Sequence, residues 1–114
     1  MDDYIRLINK TEDYIESHLD QKLTLAELAR NAHLSEYHFH RLFKKYSTET
    51  LNGFITRVKL ERSGIFLQVN RSVSITEIAY RYGYGDSSSY SRAFKKHFGM
   101  SPANFRKEQD KPSM

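Results

Sequence analysis

Residues 23–45, LTLAELARNAHLSEYHFHRLFKK, return in altered form at residues 74–96 as SITEIAYRYGYGDSSSYSRAFKK. Glu27, Leu28 and Ala29 recur fifty residues later as Glu77, Ile78 and Ala79. Phe39, Arg41, Phe43, Lys44 and Lys45 recur fifty-one residues later as Tyr90, Arg92, Phe94, Lys95 and Lys96. The offset grows by one because the second copy carries an extra residue in its turn, near Gly85. A duplicated helix, tight turn and basic second helix outlines two helix-turn-helix units.

The flanking residues give each copy its boundaries. Thr24 with Glu27, and Ser74 with Glu77, are capping-box patterns that start a short helix in each copy. The apolar faces of those helices are Leu25, Leu28, Ala29 and Ala32, and then Ile75, Ile78, Ala79 and Tyr82. Small Ala29 and Ala79 allow the following helix to cross closely. Four residues later the chain must turn, often with positive φ, at His33 in the first copy and Gly83 in the second. Ser35 and Asp86 (or Ser87) are the expected N-caps of the two second helices.

Ahead of the first copy, Tyr4, Ile8, Thr11, Ile15 and Leu19 fall at helical spacing. Between the copies, residues 50–68 read as one linking helix, in which Gly64 costs roughly 1 kcal/mol relative to alanine unless something packs on it. Gly99 ends the last long helix, and Ser101 with Pro102 begins a final short one. Nothing suggests a strand. The expected fold is all-α: two homeodomain-like helix-turn-helix subdomains joined by a long linking helix. The expected division is residues 1–50, a linking helix over 51–69, a second subdomain over 70–108 and a frayed tail over 109–114.

The chain of 114 residues holds no cysteine, so disulfides and thiolate metal sites are excluded. It shows no apolar run long enough to span a bilayer and no signal peptide, which points to the cytoplasm. The net charge of +4 is unevenly spread: residues 1–20 sum to −4, and residues 21–70 and 71–114 each sum to +4. Each repeat half therefore suits a polyanion, and the acidic first helix does not.

Within the first basic helix, Phe39, Leu42, Phe43 and Tyr46 form the stripe to be buried, leaving Tyr37, His40, Arg41 and Lys44 outward. The second helix buries Tyr90, Ala93, Phe94 and Phe98 and leaves Ser88, Ser91, Arg92 and Lys95 outward. The two outward sets match position by position. A helix in the major groove sets its N-terminal residues on base edges and its later basic residues near phosphates. Arg41 and Arg92 can each grip a guanine with two hydrogen bonds, for roughly 1–3 kcal/mol of discrimination apiece. Tyr37 suits a thymine methyl or sugar edge, and His40 a base or phosphate. Ser87, Ser88, Ser89 and Ser91 are short donors, and Ser35, Lys44, Lys45, Lys95 and Lys96 fit phosphates. Recognition helices about 34 Å apart would enter successive major grooves of double-stranded DNA.

Rival chemistries find little support. The Ser87–Ser89 run lacks a base and orienter, and serines at a helix start are commonly caps. His38 and His40 point to different helix faces and with His33 make a poor metal set. No cofactor or enzymatic activity is expected. An A-form RNA major groove excludes such a helix. A protein-interaction module that has lost DNA binding is the remaining alternative.

The stretch IAYRYGYGDSSSYSRAFKKHFGMSPANFR (Ile78–Arg106), with LAELARNAHLSEYHFHRLFKK before it, resembles the DNA-binding domain of the AraC/XylS family of bacterial transcription regulators. The resemblance covers about Tyr4 to Arg106. It implies a transcription factor with two helix-turn-helix subdomains joined by a helix, often an activator that contacts RNA polymerase. It places base contacts at Tyr37, His40 and Arg41, and at Ser87, Ser88, Ser89, Ser91 and Arg92. His33 and Thr48 stand where the family usually has glycine, so both are expected to strain the first unit if forced to positive φ. Lys59 and Ser63 replace the commoner arginine and alanine of the linking helix. Most family members carry a ligand-sensing domain; the chain is expected to be either a stand-alone regulator or a fragment whose effector domain lies beyond Met114.

Overall fold

The computed structural model describes residues 2–108, and these form seven α-helices with no strand among them. They are α1 (Asp2–Ser17), α2 (Leu25–Asn31), α3 (Glu36–Tyr46), α4 (Leu51–Val69), α5 (Ile75–Arg81), α6 (Ser87–Phe98) and α7 (Pro102–Glu108). The all-α expectation holds. The tail expected over 109–114 lies outside the described residues. Two compact units divide the chain, Met1–Val58 and Lys59–Met114, and the division falls inside α4.

In the first unit, α1 buries Leu7, Thr11 and Ile15. Leu7 thus belongs to the core stripe, whereas the periodic reading placed only Tyr4 and Ile8 in that turn, and both are half-buried. Leu28 and Ala29 of α2, Phe39 and Phe43 of α3, and Phe54, Ile55 and Val58 of α4 complete this core. Phe43 and Phe54 meet edge to face at 5.7 Å.

The second unit has an aromatic core. Tyr90 and Phe94 of α6 are fully buried, and Phe94 packs against the tilted ring of Phe98 at 4.3 Å and edge to face with Phe105 of α7 at 5.2 Å. Gly64 of α4 lies beneath two of these rings: a Cβ there would sit 3.2 Å from Phe98 and 3.7 Å from Phe105. The packing that justifies a mid-helix glycine is therefore present. Arg106 of α7 closes the end of α4, its Nε donating to Leu67 O at 3.1 Å and its Nη2 to Asn70 O at 3.1 Å. These satisfy carbonyls that a helix C-terminus leaves without partners.

Both turns between paired helices are Schellman motifs. Leu34 N–H donates to Ala29 O at 2.9 Å and His33 N–H to Arg30 O at 3.1 Å; Tyr84 and Gly83 repeat the pair to Ala79 O and Tyr80 O at 2.9 and 3.1 Å. The left-handed residue is His33 (φ 59°) in the first unit and Gly83 (φ 88°) in the second.

Thr48 does not follow its expectation. The helix α6 ends on left-handed Gly99 (φ 81°), but α3 ends on Ser47 in extended backbone (φ −98°, ψ 141°), and His33 is the sole non-glycine with positive φ among the described residues. The Ser47 hydroxyl accepts from Glu49 N–H at 3.2 Å, and the Glu49 carboxylate is held by Arg57, Nη2 to Oε1 at 2.8 Å. A side-chain turn thus replaces the glycine turn, and Thr48 carries no such strain.

Candidate nucleic-acid interface

The two second helices are anchored from below and capped from the front, which fixes what they present outward. Ser35 caps α3, its Oγ accepting from His38 N–H at 3.1 Å, and Asp86 caps α6, its Oδ1 accepting from Ser89 N–H at 2.7 Å. Of the two N-caps weighed for α6, Asp86 is the one formed. Phe39 and Phe43 below α3, and Tyr90 and Phe94 below α6, pin the opposite faces.

On α3, Tyr37, His40, Arg41, Lys44 and Lys45 are all exposed, Tyr37 to 67%. On α6, Ser88, Arg92, Lys95 and Lys96 are exposed, and Ser87, Ser89 and Ser91 are half-buried. The structure brings Tyr37, His40, Arg41 and Lys44 onto one helix face, and Ser88, Ser91, Arg92 and Lys95 onto one face of the other.

Some candidate groups already have partners. The Ser89 hydroxyl donates to Asp86 O at 3.2 Å, and Ser35 Oγ lies 3.0 Å from His38 Nδ1. The Lys45 ammonium sits over the Tyr46 ring at 5.3 Å from its centre. Backbone and side-chain hydrogen bonds from Ser89 hold the Asp86 carboxyl below its usual range, with Arg92 adding a smaller pull, so it is an anion at neutral pH. Sequence reasoning treated Asp86 as a cap alone. In the repeat it stands opposite neutral Ser35.

A groove of about 580 Å³ runs beside α1 in the first unit, with Leu7, Leu34 and Leu42 among its lining. No candidate DNA-facing residue lines it. Among the described residues, no helix is long and apolar enough to cross a membrane.

Two copies of a capped, cation-bearing helix behind a Schellman turn define a double helix-turn-helix domain. A helix-turn-helix domain model matches residues 28–108. The Msm operon regulatory protein of Streptococcus mutans is 34% identical over 101 residues, covering 89% of this chain and 36% of that protein. The chain belongs to the AraC/XylS family of DNA-binding transcription regulators. Among solved structures, an AraC-type regulator from Chromobacterium violaceum superposes with a TM-score of 0.83 at 22% identity, covering 94% of this chain and 95% of that one. The DNA-binding domain of AdpA, solved in complex with a target DNA, superposes with a TM-score of 0.73 at 22% identity, covering 90% of each chain. These two likenesses show the fold. The chain spans about a third of the length of the first curated relatives it matches.

Proposed function

We propose that the protein is a sequence-specific regulator that inserts α3 and α6 into adjacent major grooves of double-stranded DNA, either as a monomer or as the DNA-binding part of a larger ligand-responsive regulator. Tyr37, His40 and Arg41 read bases from the first helix. Arg92 reads from the second, with Ser87, Ser88, Ser89 and Ser91 as short donors; Ser89 must release Asp86 O to take part. Ser35, Lys44, Lys45, Lys95 and Lys96 meet phosphates. The regulator works in the cytoplasm and acts as an activator through contact with RNA polymerase.

The observation that carries this reading is the recurrence of an exposed arginine, Arg41 and Arg92, at equivalent places on two exposed helix faces. The DNA-binding domain of AdpA, which shares the fold, was solved in complex with a target DNA, and this supports the DNA-binding part of the reading. Selection of bound duplexes from a random library, with the Arg41→Ala/Arg92→Ala double variant alongside, tests it. Two short boxes about one helical turn apart, lost in the variant, are the expected result. No enrichment, and weak binding indifferent to both substitutions, would point to a protein-interaction module.

A further inference from the structure

The two recognition helices are capped by chemically different residues in equivalent places. Ser35 and Asp86 both take extended backbone and both accept the N–H three residues on. Serine and aspartate are about equally good caps. Capping alone therefore does not require the charge that Asp86 carries.

That charge is set in distinctive surroundings. The first turn and a half of α6 presents Ser87, Ser88, Ser89 and Ser91, all neutral, and the first cation along the helix is Arg92. A carboxylate has about four acceptor positions; the cap bond from Ser89 N–H takes one on Oδ1 at 2.7 Å, and the Ser89 hydroxyl and Ser88 N–H also pull on the group. Asp86 is exposed, so its remaining acceptor capacity faces solvent. Beside a duplex, an anion at that point is repelled by phosphates. On the major-groove floor it can be satisfied only by an exocyclic amine, and the common partner of a carboxylate there is cytosine N4.

We infer that Asp86 is a specificity-determining residue of the second recognition helix, accepting a hydrogen bond from cytosine N4 while it caps α6 and opposing sites that set a guanine or thymine acceptor against it. This rests on the reading of α6 as a groove-binding helix.

The test is duplex selection with the wild-type chain, Asp86→Ser and Asp86→Asn, each checked for an unchanged melting curve, since all three residues cap well. Wild type should favour cytosine at one position of the second box by about fivefold or more. Asp86→Ser should level that position and bind the other sequences more tightly. Asp86→Asn should move the preference toward adenine, the usual partner of an amide. Two boxes with the same base profile in wild type and Asp86→Ser would overturn the inference and leave the DNA-binding reading intact. A wild type that enriches no duplex would overturn both.

Discussion

The Tyr90 phenol donates a 2.8 Å hydrogen bond to Ser63 Oγ, and the Ser63 hydroxyl in turn donates to Leu60 O at 2.7 Å. Both side chains are fully buried. In the first unit the place of Tyr90 is taken by Phe39, which has no hydroxyl to satisfy. The Ser63 that departs from the family's usual alanine is therefore matched to a tyrosine that needs it. Ser63→Ala should cost roughly 1–3 kcal/mol because it strands the buried phenol, whereas Ser63→Ala with Tyr90→Phe should return close to wild type. Urea unfolding of the four proteins in the cycle measures the coupling, and simple additivity would disprove it.

Burial pushes the Tyr90 phenol up to about 12, an effect that the Ser63 hydroxyl partly offsets. An unfolded tyrosine titrates near about 10, so above that pH the unfolded chain gives up its proton first. The stabilisation is complete below about pH 10 and is lost as pH rises toward 12. Tyr82 and Tyr84 are also raised by burial and act with the same sign. Tyr90→Phe should flatten the alkaline limb of a stability–pH curve. An unchanged limb would mean that Tyr90 is not a source of it.

His33 holds a left-handed conformation at φ 59° that Gly83 takes without a side-chain penalty. A non-glycine residue there costs about 1 kcal/mol or more, partly offset by the entropy glycine loses on folding. His33→Gly should stabilise the first unit by about 0.5 kcal/mol, and His33→Val should destabilise it by more than about 1 kcal/mol. Native-state hydrogen exchange at Phe39 and Phe43 reports the order. The same experiment should find the first unit less protected than the second, and the reverse ranking would count against strain at His33.

At Gly64 two effects compete. Alanine favours helix by about 1 kcal/mol, but its Cβ would come within 3.2 Å of the Phe98 ring. That ring is wedged between Phe94 at 4.3 Å and Phe105 at 5.0 Å, so it has little room to retreat. Gly64→Ala should therefore give a net loss of about 1 kcal/mol by thermal unfolding. A gain would show that the aromatic cluster adapts.

Much of the fold is legible in the sequence because its determinants act within one turn of helix. Thr24, Ser35 and Ser74 accept from the N–H three residues on, and the buried stripes Phe39–Phe43 and Tyr90–Phe94 follow helical spacing. The same periodicity that buries one face exposes Arg41 and Arg92 on the other, so the candidate interface was legible too. The full extent of each unit was harder to see. Thr11 on α1 and Ser63 on α4 play matching parts, each a buried hydroxyl donating to its own helix at 2.7 Å, yet little sequence likeness joins those two helices.

The chain by itself determined the duplication, the helices, their caps and the faces they bury, since each follows from neighbours three or four residues apart. Tertiary packing alone decided the rest. It set Gly64 beneath Phe98 and Phe105, bonded Ser63 to Tyr90 and turned Arg106 back onto the end of α4. It also replaced the glycine turn expected at Thr48 with the Ser47, Glu49 and Arg57 arrangement. The physical reason is range: a periodic pattern reports which side of a helix is buried, but the partner that buries it comes from distant sequence and is fixed only when the side chains close-pack.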